Sequence, residues 1–130
     1  MTNYFYVFIG GGLGACLRYA IGLAYQSQHI INIPIKSLLA NLLGSMLAAI
    51  AFAIYKHFGD NAILQALVII GFCGGLTTFS SYILEAQNFL ETKNFIGLLI
   101  YVLLHNILGL CLFLVCYQTA TRMLEASFGR

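Results

Sequence analysis

Four long apolar stretches separated by short polar segments make up nearly the whole chain. Each has the roughly 20 residues that a helix needs to cross a bilayer. They lie at about Tyr4–Tyr25, Ile33–Ile54, Ala62–Tyr82 and Phe95–Ala120, and the third continues as a short helix to about residue 90. The first stretch lacks the positively charged start of a signal peptide, and it is longer than the apolar core of such a peptide. We therefore interpret it as a retained span. The pattern predicts an all-α membrane protein with four transmembrane helices in a single domain, residues 1–130.

The third stretch carries a run of glycine, hydroxyl and aromatic residues that does not fit a regular transmembrane helix. The run is Gly71-Phe72-Cys73-Gly74-Gly75-Leu76-Thr77-Thr78-Phe79-Ser80-Ser81-Tyr82. Glycine is a poor helix former, and Ser and Thr side chains compete for backbone hydrogen bonds. Irregular backbone at membrane depth is tolerated only where it is buried in protein or lines a wet cavity. The run therefore predicts a helix broken near residues 74–78, close to the middle of the membrane, around an ion or solute site.

Composition excludes most other classes of protein. Of the 130 residues, 61% are hydrophobic and only 8% are charged, and the mean hydropathy is +0.91. In a soluble domain about a quarter of the residues are charged, so this chain must be embedded in a membrane. The net charge of +2 provides no basic patch for nucleic acid. Motifs such as HExxH, GxSxG and the phosphate-binding loop are absent, and we expect no enzymatic activity.

The positive charges are divided almost evenly between the two sides of the membrane. With an even number of spans, each side receives three of them: Lys56, Arg122 and Arg130 on one, and Lys36, Lys93 and an outward-reaching Arg18 on the other. The positive-inside rule then gives little preference for one orientation. Chains inserted both ways would form an antiparallel, dual-topology homodimer with its two-fold axis in the membrane plane. One four-helix unit is also too small to enclose a wide pathway.

Three features of the first two spans allow both a structural and a functional interpretation. The run from Gly10 to Ala15 lets helices approach closely, and we favour packing over a ligand role. Arg18 either reaches the membrane interface or serves a site, with no preference between the two. Asn41 is the only amide in the second span, and an unpaired amide in lipid is costly. It either bonds a neighbouring helix or faces a pore, which we favour because Gly44 and Ser45 keep that region open and polar.

Hydrogen-bond donors outnumber acids around the predicted break. They comprise the amide of Asn41 and the hydroxyls of Thr77, Thr78, Ser80, Ser81 and Tyr101. Phe79 and Tyr82, three residues apart, would add the positive edges of their rings. Donors without a carboxylate cage favour a small, strongly hydrated anion. A second interpretation is a cation held by unwound carbonyls, as at the broken helices of transporters.

Proton coupling would need a titratable side chain within the membrane. Glu85 and His105 are the only candidates, and neither has an obvious partner in the sequence. In the fourth span, Tyr101, His105 and Gly109 are four residues apart and share one face.

The chain resembles the Fluc/CrcB family of fluoride channels along nearly its whole length. The residues that carry the resemblance are Gly10-Gly11-Gly12-Leu13-Gly14-Ala15-Cys16-Leu17-Arg18-Tyr19, Asn41-Leu42-Leu43-Gly44-Ser45, and Gly71-Phe72-Cys73-Gly74-Gly75-Leu76-Thr77-Thr78-Phe79-Ser80 followed by Glu85. The resemblance implies a dual-topology homodimer in the bacterial inner membrane, surrounded by lipid, with two antiparallel pores. It implies passive and selective conduction of fluoride out of the cytoplasm, where HF that crosses the membrane ionises and is trapped.

The resemblance also implies roles for individual residues. A structural sodium ion at the dimer centre would be held by the backbone carbonyls of Gly74 and Thr77, two copies of each. The pore residues by motif position are Asn41, Phe79, Tyr82, Ser81, Thr78, Tyr101 and His105, with Arg18 and Glu85 at the pore ends as entrance or gating positions. The chain departs from the family at Tyr82, where phenylalanine is usual, and at His105 and Gly109, where serines are often found. A neutral imidazole N–H at His105 would replace a serine as donor, but the ring also titrates.

Two other functions remain open from the sequence. A small multidrug-type exporter is also a four-span dual-topology dimer, but its chemistry depends on a glutamate in the first helix, and this chain has no acid there. A structural subunit of a larger complex would explain the packing glycines but not the Thr and Ser residues at the predicted break.

Overall fold

The computed structural model describes residues 2–25, 29–30, 33–59 and 61–129. Four helical spans in this part of the chain are long and apolar enough to cross a membrane: Asn3–Ala24, Ile35–Phe58, Ala62–Glu91 and Phe95–Phe128. They are called the first to fourth spans below. The prediction of an all-α membrane protein with four spanning helices is confirmed. The first helix begins at Thr2, and the fourth continues to Phe128 rather than ending near Ala120.

A small hairpin precedes the second span. Its strands β1 (His29–Ile30) and β2 (Ile33–Pro34) are antiparallel, with His29 opposite Pro34 and Ile30 opposite Ile33. Pro34 lies immediately before the second helix. Pro34 has φ −67° and ψ 126°, and the helix runs from Ile35 to Phe58. Proline fixes only φ, so it fits the extended residue before a helix as well as the first turn.

The third span consists of four helical segments with one interruption. An α-helical turn, Ala62–Leu64, leads into a wider π-helical stretch, Gln65–Cys73, and a short α-helix, Gly74–Leu76. Thr77 (φ −73°, ψ 154°) and Thr78 (φ −146°, ψ 119°) are then extended, and an α-helix resumes over Phe79–Glu91. The two extended residues lie in the Gly/Thr/Ser run. That they form a break at mid-membrane depth stays a prediction.

The fourth span also changes its helical form along its length. It is α-helical over Phe95–Leu103, π-helical over Leu104–Leu108 and α-helical again over Gly109–Phe128. Single π-helical turns occur frequently at functional sites. His105 lies within this one.

Two apolar clusters hold the spans together on either side of the interruption. The first span packs along the third, and the second packs along the fourth. One cluster is built on Ile21, Ala40 and Leu76, and the other on Ile33, Phe89 and Tyr101. The interruption at Thr77 and Thr78 therefore lies between two packed regions.

Candidate functional site

The side chain of Asn41 binds the backbone at the interruption of the third span. Its Oδ1 accepts a hydrogen bond from the N–H of Thr78 at 2.7 Å, and its Nδ2 donates to the carbonyl of Thr78 at 3.1 Å. This paired contact satisfies the N–H of Thr78, which has no helical acceptor, and gives an additional donor to its carbonyl, at the start of the next helix. Asn41 therefore does bond a neighbouring helix. The amide nitrogen carries a second hydrogen, so the same side chain can still donate to a ligand.

The hydroxyl of Thr78 begins the helix that follows the interruption. Thr78 is only 7% exposed, and its Oγ1 accepts a hydrogen bond from the N–H of Ser81 at 3.1 Å. A threonine that bonds the third residue of a helix in this way is a typical N-terminal cap. The same Oγ1 donates to the hydroxyl of Ser81 at 3.1 Å and lies 3.3 Å from that of Ser80. The hydroxyls of Thr78, Ser80 and Ser81 thus form one connected group, while that of Thr77 donates to the carbonyl of Cys73.

The bonds to Asn41 and Thr78 leave two carbonyls without their regular helical donors. In a continuous α-helix, Gly74 would accept from the N–H of Thr78, and Thr77 from that of Ser81. Both N–H groups bond side-chain oxygens instead. Gly74 and Thr77 are the two residues predicted as sodium ligands, and their carbonyls are the type of hard oxygen donor that sodium needs. No group of three or more His, Cys, Asp or Glu side chains in the described part of the chain could hold a metal ion.

Arg18 reaches from the first span to the same region. Its Nε donates to the carbonyl of Gly75 at 3.0 Å. Carbonyls in the last turn of a helix lack intrahelical partners, and the arginine supplies one. This contact favours a role for Arg18 at the site over an arginine that only reaches the membrane interface.

A cleft of about 320 Å³ lies against the interruption, and we call it the Asn41 cleft. Most of its lining residues are polar but uncharged: Asn41, Ser45, Thr77, Thr78, Phe79, Tyr82, His105 and Asn106. None of the described residues that line it is an acid, a lysine or an arginine. Its chemistry is that of donors and aromatic rings, which suits a small anion better than a metal cation.

Aromatic side chains form one wall of the Asn41 cleft. The ring of Tyr82 contacts that of Phe79 with 5.6 Å between centroids, stacks on Tyr101 at 5.4 Å and tilts against His105 at 4.8 Å. Phe79 is 76% exposed. The two rings predicted from the sequence, Phe79 and Tyr82, thus lie in contact. Tyr82 is held by Tyr101 and His105, whereas Phe79 is exposed on the surface of this chain.

A second cleft, of about 410 Å³, carries the charged residues and is called the Glu85 cleft. Its polar lining residues are Arg18, Tyr19, Lys36, Ser37, Thr78, Ser81 and Glu85. Thr78 lines both clefts, so the two meet at the interruption. Arg18 and Lys36 give this cleft two positive side chains, which would concentrate anions near it.

Glu85 is almost fully buried at the base of this cleft. Its Oε2 accepts hydrogen bonds from Ser37 Oγ and from the hydroxyl of Tyr101 at 2.6 Å. Its Oε1 lies 3.7 Å from Lys36 Nζ and has no hydrogen-bond partner among the described residues. No partner of Glu85 is obvious in the sequence because its partners come from the second and fourth spans.

We expect the Tyr101→Phe variant to be less stable by about 2 kcal/mol. Tyr101 is fully buried, and the change removes its hydrogen bond to a buried carboxylate, an interaction worth roughly 1.5–3 kcal/mol. Thermal unfolding in detergent measures the loss. The matched control is Tyr4→Phe, because Tyr4 is 81% exposed. Equal stability of the two variants would contradict the importance of the Tyr101–Glu85 bond.

Most predicted site residues converge on the two clefts, but two do not. Asn41, Thr77, Thr78, Phe79, Tyr82 and His105 line the first, and Arg18, Ser81 and Glu85 line the second. Tyr101 is buried behind Tyr82 and lines neither, and Gly74 is exposed on the outer side. Sequence reasoning assigned no role to Ser37, which binds Glu85. Its position four residues before Asn41 was an available signal, because it places both on one helix face.

Comparison with known proteins identifies relatives of this chain. The model of the family described as CrcB-like protein, Camphor Resistance (CrcB), matches residues 5–117. A "Fluoride-specific ion channel FluC 1" of Staphylococcus aureus (strain bovine RF122 / ET3-1) is 36% identical over 116 residues, which cover 88% of this chain and 91% of the relative. A "Fluoride-specific ion channel FluC" of Serratia proteamaculans (strain 568) is 37% identical over 106 residues, which cover 81% of this chain and 83% of the relative. A "Fluoride-specific ion channel FluC 2" of Staphylococcus saprophyticus is 34% identical over 111 residues, which cover 85% of this chain and 89% of the relative.

Proposed function

The chain belongs to the CrcB family, and from that membership we propose that it is a passive, fluoride-selective ion channel that releases fluoride from the cytoplasm. The observation that carries the proposal is the Asn41 cleft. It combines hydrogen-bond donors and aromatic rings, and none of its lining residues is acidic. An anion entering there would meet the positive ends of dipoles and no opposing charge.

Fluoride suits such a site because of its size and its strength as a hydrogen-bond acceptor. It must give up a tightly held hydration shell on entering the protein, and only donors at short range can replace that water. The second amide hydrogen of Asn41 and the hydroxyl of Ser81, which accepts the hydrogen of Thr78, supply such donors, and the edges of Phe79 and Tyr82 supply weaker ones. Chloride is larger and a weaker acceptor, so it gains less from the same groups.

The path we propose runs from the Glu85 cleft to the Asn41 cleft past Thr78. Arg18 and Lys36 would attract fluoride to one end, and the connected hydroxyls of Thr78 and Ser81 would pass it between the clefts. Transport would be passive, since the buried carboxylate of Glu85 is held by Ser37 and Tyr101. HF that enters a cell ionises inside, and a passive anion pathway is sufficient to release the trapped fluoride.

The functional unit in this proposal is an antiparallel homodimer with two pores. Phe79 is 76% exposed, so one wall of the Asn41 cleft is incomplete in a single chain. A second copy inserted in the opposite orientation would complete it, and the balanced positive charges of the sequence allow both orientations. The chain would lie in the bacterial inner membrane, surrounded by lipid.

A structural sodium ion at the centre of this dimer forms part of the proposal. The carbonyls of Gly74 and Thr77 lose their helical donors to side-chain oxygens, and two copies would offer four oxygens. Replacing sodium by N-methylglucamine should lower the thermal stability of the purified dimer. Unchanged stability without sodium would contradict the site and leave the fluoride proposal intact.

The function is tested by fluoride-electrode measurement of efflux from liposomes that contain the purified protein. We expect fluoride to leave rapidly when its electrical driving force is released by an ionophore. Liposomes loaded with chloride, and liposomes without protein, are the controls. Equal chloride and fluoride efflux, or no protein-dependent fluoride efflux, would overturn the proposal. The multidrug-type alternative predicts instead that an organic cation is driven by a proton gradient, and no contact in the described residues favours it.

A further inference from the structure

The hydrogen bond of His105 fixes which ring nitrogen carries a hydrogen. His105 Nδ1 lies 3.1 Å from the backbone carbonyl of Tyr101. A carbonyl oxygen can only accept, so Nδ1 must be the donor. A neutral imidazole has one N–H, so in its neutral form His105 has a lone pair and no hydrogen at Nε2.

The second nitrogen of His105 has no hydrogen-bond partner in the described part of the chain. Nε2 is buried and unbonded, although the residue lines the Asn41 cleft. The neutral ring thus contributes an acceptor, and no hydrogen, to the Asn41 cleft. It cannot replace a serine hydroxyl as a donor to an anion, because its single N–H is used on Tyr101.

We propose that His105 is a proton-dependent ligand of the transported anion, so that fluoride conduction rises as the pH falls. This inference rests on the proposed function. Protonation places a hydrogen and a positive charge at Nε2, while Nδ1 keeps its bond to Tyr101. The buried imidazolium then needs an acceptor, and fluoride in the Asn41 cleft is that acceptor. Since Nε2 is covered, contact with the ion requires a small movement of the adjoining Tyr82 ring.

The described side chains that surround His105 do not accept a hydrogen bond from Nε2, which leaves the transported anion as its acceptor. Its ring packs on two phenols, Tyr82 at 4.8 Å and Tyr101 at 4.4 Å between centroids. The nearest carboxylate is that of Glu85, which accepts a hydrogen bond from the hydroxyl of Tyr101 and forms an ion pair with Lys36 at 3.7 Å. The second span contributes only uncharged residues, Asn41 and Ser45, to the cleft that His105 lines. None of these side chains is hydrogen-bonded to Nε2.

A channel of this kind would respond to the condition that loads a cell with fluoride. Acidic surroundings convert fluoride to neutral HF, which crosses the bilayer and releases its proton inside. A ligand that gains a proton under the same conditions would raise conduction when the need for it is greatest.

The test compares the pH profile of fluoride efflux in three proteins: wild type, His105→Ser and His105→Gln. Serine restores a permanent hydroxyl donor, and glutamine supplies an amide N–H that does not titrate. The protonated fraction of one imidazole rises by at most about tenfold for each unit by which the pH falls, and this sets the upper limit for the increase in flux. We expect wild-type efflux to rise as the pH is lowered from about 8.0 to about 5.5 and both variants to conduct at a rate nearly independent of pH. Protein-free liposomes at each pH correct for HF leakage through lipid.

His57→Ser is the matched control, because His57 contacts Phe58 and Phe128 at the other end of the second span. This variant should keep the wild-type profile. A wild-type profile in the His105 variants, or a flat profile in wild type, overturns the inference. Absence of fluoride efflux from every protein would refute the channel function instead, so the two failures are distinguishable.

A second measurement covers the case in which the His105 variants do not fold. In the wild-type protein with labelled histidine, fluoride should shift the titration of the His105 ring nitrogens to higher pH. The direction follows from linkage, since a ligand that binds the protonated form better must stabilise that form. Chloride at the same concentration is the control, and the His57 signal should not move. An unchanged His105 titration in saturating fluoride overturns the inference.

Discussion

Replacing Asn41 by aspartate should abolish fluoride efflux from proteoliposomes. The carboxylate keeps an acceptor for the N–H of Thr78 but loses the donor to its carbonyl and the remaining hydrogen offered to the cleft. It also places a negative charge beside the path of an anion. Two like charges 4 Å apart repel by about 4 kcal/mol at an effective dielectric constant of 20. Since 1.4 kcal/mol is a factor of ten, the flux should fall roughly a thousandfold.

The matched control for this substitution is Asn88→Asp. Asn88 is exposed near the end of the third span and lines neither cleft, so the variant carries the same added charge away from the proposed path. It should conduct within a factor of about two of wild type. If Asn41→Asp still forms dimers and conducts at the wild-type rate, Asn41 is not a pore residue and its role is limited to bonding Thr78.

Replacing Gly14 by alanine should destabilise the protein by about 2–3 kcal/mol. A Cβ at Gly14 would overlap the carbonyl oxygen of Phe72 and crowd the backbone N of Leu76. Backbone atoms cannot rotate away as a side chain can, so the first and third spans must separate. Overpacking of a close contact typically costs about 1–3 kcal/mol. The temperature at which half the detergent-solubilised protein loses its native elution volume measures the effect.

Gly12→Ala is the control, because a Cβ at Gly12 meets no atom within 4 Å. This variant should be as stable as wild type or slightly more so, since alanine favours a helix over glycine by about 1 kcal/mol. Similar losses for both variants would show that the glycine run acts through backbone freedom and not through the approach of the third span. The contacts of Gly14 agree with the packing role favoured from the sequence.

The four spans could be predicted from the sequence because their signal is local. A stretch of about twenty apolar residues needs no knowledge of its neighbours to be identified as a spanning helix. The unusual backbone at Thr77 and Thr78 was also foreseeable, since glycines and hydroxyl residues in an apolar run disfavour a regular helix. The hairpin before Ile35 was not, because strands of two residues are too short to show an alternating pattern.

The contacts of the site could not be predicted because they join distant parts of the chain. Asn41 and Thr78 are 37 residues apart, and nothing near either residue indicates that one satisfies the backbone of the other. The partners of Glu85 come from two other spans, so the sequence left it unpaired. The π-helical turn that carries His105 has no sequence signature either, and the hydrogen bond from Nδ1 to Tyr101 became visible only with the ring in place.

The side-chain hydrogen bonds at the interruption of the third span have a consequence for folding during membrane insertion. The side chains that bond the backbone around Thr78, from Asn41 and Arg18 to the threonine itself, all belong to one polypeptide. A newly synthesised copy therefore needs no second copy to stabilise this irregular segment, and the first three helices are enough to shape it during insertion. In the proposed antiparallel dimer, each chain would therefore complete this segment on its own before it meets its partner.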